Sequence, residues 1–217
     1  MSSGREAVTS SICVFCGANE GTLPAYVSAT RDLGRALARE GVRIVYGGAA
    51  IGLMGALADA ALEAGGGVVG VVPSRFPDGE VHQGLTQLHV VPGMHERKAL
   101  MAKLSQAYVV LPGGLGTIDE MFEALTWAQL GLHRKPLAIL DVEGYFAPIL
   151  EFLQRAHDQR FLLRPVSEVL SVATDVDGIL ACLRNGSRMV ESPPRAAFGP
   201  AKEPATGPAT ENGRAGS

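Results

Sequence analysis

The chain has 217 residues, 47% of them hydrophobic and 27 of them glycine, with a formal charge of −3. That length buries one substantial core, and a charge so near zero argues against nucleic acid or an anionic membrane as a partner. No apolar run approaches the roughly 18 residues of a membrane span and the start, MSSGREAVTSS, carries no apolar signal core, so a cytoplasmic protein is expected.

Residues 11–17, SICVFCG, form the first expected strand, and Pro24 is well placed to open a helix that runs to about Glu40 and stops at Gly41. Cys13 and Cys16 have CxxC spacing, but residues three apart on a strand point to opposite faces. With Cys182 they are too few, and odd in number, for a disulfide framework, and reduced thiols are expected. Residues 42–46 read as the second strand. A glycine turn from Gly47 to Gly55 follows, then an alanine-rich helix to about Ala64. Its glycine spacing matches neither GxGxxG nor a Walker A loop, and the third strand, 68–72, ends in no acid that could hold a ribose diol. NAD is not expected.

The segment 74–86, SRFPDGEVHQGLT, is the longest irregular connection; compact domains rarely keep such a length without a purpose, and it is expected to fold over a site. A fourth strand at 88–91 leads into a helix from Met94 to about Gln106. The next stretch, VVLPGGLGTIDE at 109–120, begins as an uninterrupted apolar run, breaks at Pro112, and restarts as a helix to Leu130 in which Ile118, Met121, Phe122 and Leu125 recur with helical period. Thr117 and Glu120 have the spacing of a capping box. Strands at 136–140 and 169–172 and helices at 145–157 and 176–184 complete the alternation.

Strands separated by helical segments imply an α/β chain with a Rossmann-like, doubly wound parallel sheet in a single domain. Its expected bounds are 11–186, with a flexible N-terminus at 1–10. A Pro/Gly-rich tail at 187–217 is expected to be disordered, since 191–217 holds five prolines, four glycines and one aromatic residue, Phe198. Ligands of such sheets bind beyond the carboxyl ends of the strands at the switch point, which should gather Gly47, Arg97 and residues 113–120.

The chemistry concentrates there. Unpaired N–H groups and the dipole at a helix N-terminus attract an anion, and glycines let a phosphate approach the backbone, although many ordinary strand-to-helix turns also use them. Glu120 can cap its own helix or perform another task, and Arg97 and Lys98 are either solvated helix charges or a cation pair facing the same crevice. The five histidines lack metal-ligand spacing, and no metal is expected.

The string Pro112-Gly113-Gly114-Leu115-Gly116-Thr117-Ile118-Asp119-Glu120 resembles the PGGxGTxxE motif of the LOG ("Lonely Guy") family of cytokinin riboside 5'-monophosphate phosphoribohydrolases, and Met94-His95-Glu96-Arg97-Lys98 is similar to its partner motif. The likeness extends over roughly 11–183 through VFCGANEG, YGGAAIGLMG and LTWAQLGLHRKP. Ala18-Asn19, Ala49-Ala50 and Asp119 depart mildly from the usual residues and bear on details of phosphate contact and substrate preference.

The resemblance implies Arg97 and Glu120 as the catalytic pair. It implies substrate contacts from Glu80, Lys98, Gly114, Leu115, Gly116, Thr117, Ile118, Asp119 and Thr126, no cofactor, and a homodimer. The implied reaction hydrolyses the N-glycosidic bond of cytokinin riboside or AMP-like nucleoside 5'-monophosphates, releasing the base and ribose 5-phosphate. The alternative is a module that binds or senses a nucleotide without turnover. A lysine decarboxylase, a label often given to such chains, needs a Schiff-base lysine in a pyridoxal phosphate site, for which the sequence gives no case.

Overall fold

The computed structural model describes residues 9–77, 79–162 and 164–189. Among them seven strands form one sheet: β1 (Ser11–Phe15), β2 (Arg43–Tyr46), β3 (Val68–Pro73), β4 (Gln87–Val91), β5 (Ala107–Val110), β6 (Leu137–Leu140) and β7 (Leu170–Ala173). Six α-helices accompany them: α1 (Pro24–Arg39), α2 (Gly52–Glu63), α3 (Met94–Leu104), α4 (Leu115–Gln129), α5 (Ala147–Asp158) and α6 (Val176–Met189). The order is β4-β3-β2-β1-β5-β6-β7 with every pairing parallel.

The apolar runs lack polar alternation because both faces of the sheet are covered. On one face Ile12, Val14, Ile44, Val109 and Leu140 pack against Leu33 and Leu37 of α1, Leu57 of α2 and Ile179 of α6. On the other, Phe15, Val45, Tyr108, Val110 and Ile139 meet Met101 of α3, Met121 and Leu125 of α4 and Leu153 of α5. Cys13 and Cys16 fall in these opposite layers, and all three cysteines are free.

The switch point is β1, which has β2 on one side and β5 on the other. Beyond it the two chains stay joined, Gly17 N–H donating to the Pro112 carbonyl at 3.0 Å, before they part to α1 and α4 on opposite faces. That parting opens a crevice at the carboxyl edge.

Two details differ from expectation. The helix α4 starts at Leu115 behind an extended Gly114, with no side-chain cap, so the capping box of Thr117 and Glu120 does not form. Pro112 and the two glycines release the chain into the helix early. Thr117 becomes the third helical residue and Glu120 the sixth, beyond reach of the cap. Next, α6 runs past Arg184 to Met189, into the span assigned to the tail; residues 1–8 and 190–217, with most of both expected flexible termini, lie outside the described residues. As expected of the longest irregular connection, no helix among the described residues joins the parallel strands β3 and β4. Segment 74–86 makes that crossover itself, first crossing the carboxyl edge, where Ala49 and Val81 form an antiparallel bridge, and then descending beside α2. No helix among the described residues is long and apolar enough to cross a membrane.

Candidate active site

A cavity of about 650 Å³ lies at the switch point, between the ends of β1 and β5 and beneath segment 74–86. Residues 16–21 and 112–117 form two of its walls, and Arg97, Glu120 and Glu80 enter from other elements.

Arg97, in the first turn of α3, is 9% exposed. Its Nε donates to the Val71 carbonyl at 3.0 Å and a terminal nitrogen donates to the Gly47 carbonyl at 3.2 Å, so the ends of β2 and β3 both hold the guanidinium. Gly47 is required for this: a Cβ there would sit 2.0 Å from the Arg97 terminal nitrogen. The other terminal nitrogen faces Glu120 Oε1 at 3.8 Å, and both side chains are nearly buried. Burial pushes the Glu120 carboxyl up to about 7; Arg97 and Lys98 oppose that shift, and Asp119 and Glu123 add to it. A carboxylate poised near neutrality beside a fixed cation is what proton transfer or cation stabilisation at pH 7 requires.

Glu120 and the uncapped start of α4 line the same cavity. Gly113 permits the tight turn because a Cβ on it would lie 2.1 Å from the Thr117 hydroxyl, and Gly114, Leu115 and Gly116 are exposed at the mouth. With no side chain over it, this N-terminus leaves backbone N–H groups directed at the cavity, an arrangement suited to one phosphate.

Not every expected contact gathers here. Gly114, Leu115, Gly116, Thr117, Asp119, Glu120, Arg97 and Glu80 line the cavity. Ile118 packs into the core beneath it. Lys98 Nζ is held by Asp119 and Glu123, each at 3.1 Å, and is not among the lining residues. Thr126 bonds back to the Phe122 carbonyl at 2.7 Å and lies on a separate apolar groove with Leu125, Leu130, Phe152 and Phe161. Sequence reasoning missed Tyr145, whose hydroxyl donates to the Gly113 carbonyl at 2.6 Å, and the apolar wall of Tyr26, Met54, Phe76 and Met94. Their common signal is position: each follows or precedes a strand end at the carboxyl edge.

Residues 54–183 match the family model described as "Possible lysine decarboxylase". A cytokinin riboside 5'-monophosphate phosphoribohydrolase from Rhodococcoides fascians is 47% identical over 178 residues, covering 81% of this chain and 89% of that protein. One from Arabidopsis thaliana is 41% identical over 160 residues, covering 73% and 74%. The chain belongs to the LOG family. The fold of this LOG-family chain also resembles the molybdenum cofactor carrier protein of Chlamydomonas reinhardtii, with a TM-score of 0.63 and 25% identity over 82% of this chain and 98% of that one.

The residues do not fit the chemistry that the family model's description names. Decarboxylation of lysine needs a lysine amine free to form an imine with pyridoxal phosphate. Among the described residues no lysine lines the cavity; Lys98 is doubly paired, and Lys135 donates to the Ala102 carbonyl.

Proposed function

We propose that this chain hydrolyses the N-glycosidic bond of nucleoside 5'-monophosphates of the adenine and N6-modified adenine class, cytokinin riboside monophosphates among them, releasing the free base and ribose 5-phosphate. One observation carries this reading: a buried carboxylate, Glu120, faces a fixed guanidinium in the same cavity as an open helix N-terminus. A module that merely binds a nucleotide has use for the N-terminus and none for a desolvated carboxylate that does not cap its helix.

The bond breaks through an oxocarbenium-like ribosyl cation. The N–H groups of residues 114–117 bind the 5'-phosphate and fix the ribose, converting binding into orientation. Ionised Glu120 stabilises the positive sugar from close range and takes a proton from the attacking water, whose oxygen bonds the ribose carbon as the bond to the base breaks; that proton passes on to the departing base nitrogen, releasing neutral base and restoring ionised Glu120. Arg97 holds Glu120 in place and donates to ribose hydroxyls. Glu80, carried over the cavity by segment 74–86, contacts the ribose or base. Lys98 acts from behind, neutralising Asp119 and Glu123 so that Glu120 can ionise. Phe76, Met54 and Met94 supply an apolar wall for the base.

The protein works as a cytoplasmic homodimer. The apolar groove of Phe122, Leu125, Leu130, Phe152 and Phe161, about 370 Å³, suits pairing with a second copy, and Thr126 lies on it; Thr126 reaches ligand only if that face adjoins a partner's cavity. The test is incubation of the purified chain with N6-isopentenyladenosine 5'-monophosphate and with AMP, with free base followed by chromatography. Release of base from either supports the reading. Tight binding of both without release would favour the non-catalytic module.

A further inference from the structure

A second, small and partly enclosed space of about 10 Å³ is bordered by Tyr108, Glu120, Lys98, Glu123 and the rings of Phe15 and Trp127, so that Glu120 borders both this space and the cavity. That is the size of one water molecule. The Tyr108 hydroxyl is buried and has no hydrogen-bond partner among the described residues. Its ring is fixed, stacked on Phe15 at 5.7 Å with His133 5.3 Å away on another side and Lys135 Nζ 5.6 Å from its centre. A buried hydroxyl without a partner is costly, and proteins satisfy such groups with ordered water wherever a polar space of this size adjoins them.

From these two observations we infer that Tyr108 is a positioning residue, acting on Glu120 through a single buried water held between them. The water accepts the Tyr108 O–H and, having two protons of its own, donates to Glu120 and to Glu123. Glu120 thus has two sides: one oxygen serves the cavity while the water steadies the carboxylate from the smaller space. A hydrogen bond donated to the ionised form favours that form, so this link opposes the effect of burial. The other groups facing Glu120 are Arg97 and Lys98 from α3, Asp119 and Glu123 from α4, the Cys13 and Cys16 thiols of β1 and its end, and Glu80 from segment 74–86. Of these, Glu123 shares the water and Cys13 adjoins Tyr108, while Arg97 and Lys98 keep their contacts when Tyr108 is altered. Tyr108 titrates too far above neutrality to contribute a charge, because burial raises its phenol.

The catalytic consequence rests on the proposed hydrolysis, but the link itself is testable without it. Carboxyl-labelled glutamate permits direct NMR titration of Glu120 in the whole protein, with the signal assigned by its loss in Glu120→Gln. In Tyr108→Phe the Glu120 midpoint is expected to rise by about half to one pH unit, with little change in melting temperature, and the acid limb of base release to move with it. Ala124→Val, which narrows the space while keeping Tyr108, is expected to raise the midpoint likewise and serves if Tyr108→Phe does not fold. A Glu120 midpoint unchanged in both variants, or a high-resolution crystal structure with the space dry, overturns the inference. A shifted midpoint in a protein that releases no base supports the link and defeats the hydrolase reading instead.

Discussion

Glu120 owes its character to burial. Its carboxyl is ordinarily half-ionised near 4.5 and is pushed to about 7 here, first by desolvation and then by Asp119 and Glu123, against Arg97 and Lys98. In the proposed hydrolysis ionised Glu120 is the working form, so base release should rise with pH through about 7. The same shift costs stability. The folded protein binds the proton more tightly than the unfolded chain, so the penalty is absent below about 4.5, grows from there, and is complete above about 7. Glu120→Gln removes the titration while keeping the shape. It should raise the melting temperature relative to the parent more at pH 8 than at pH 5, and lower base release by at least about 100-fold. Retention of more than about a tenth of the rate would remove Glu120 from the chemistry.

At the scale of elements, the strand ends and turns hold the pair in place. Gly47→Ala puts a methyl group 2.0 Å from the Arg97 guanidinium nitrogen and 3.0 Å from Met54 Sδ, while the Glu120 side chain itself is unaltered. Base release should fall about 10- to 100-fold while the sheet survives, and circular dichroism with steady-state kinetics checks both. Segment 74–86 is pinned by Ala50 N–H on the Glu80 carbonyl at 2.8 Å, by His82 N–H on the Gly48 carbonyl at 3.0 Å, and by the His82 ring on Asp59 at 3.0 Å. Losing the ring contact in His82→Ala should loosen Glu80 and Phe76 over the ligand, raising KM several-fold more than it lowers kcat; equal effects on both would argue against a positioning role for the segment.

Much of this was legible in the chain because doubly covered strands read as unbroken apolar runs and the two motifs sit at consecutive strand ends. The errors have physical causes. The Thr117–Glu120 spacing is a local signal, and the early start of α4 overrode it. Arg97 and Lys98 are neighbours in sequence but about 100° apart around α3, so one enters the cavity and the other turns to Asp119 and Glu123. Tyr145 was invisible because its bond to Gly113 spans 32 residues and exists only once β5 and β6 are paired.

For the whole molecule, the seven-stranded sheet supplies a rigid edge and leaves one apolar face unexplained within a single copy, where Phe152 and Phe161 are 59% and 85% exposed. Pairing of two copies there should give a dimer mass by light scattering at micromolar concentration, and Phe152→Glu should shift it to the monomer without unfolding the sheet. A parent that is already monomeric would leave that face without the role assigned to it.

In the proposed reaction the start of α4 binds a phosphate so that Glu120 can act on the ribose beyond it. Comparison of base release from adenosine and its mono-, di- and triphosphates, at equal concentration and without added metal, tests it most directly. Charge-assisted hydrogen bonds contribute about 1.5 to 3 kcal/mol each, so two or three of them favour the monophosphate over adenosine by at least roughly 100-fold in kcat/KM. The short turn should also make the longer phosphates poor substrates. Cleavage of adenosine as fast as the monophosphate would contradict the account, leaving the fold in place and the phosphate site without support.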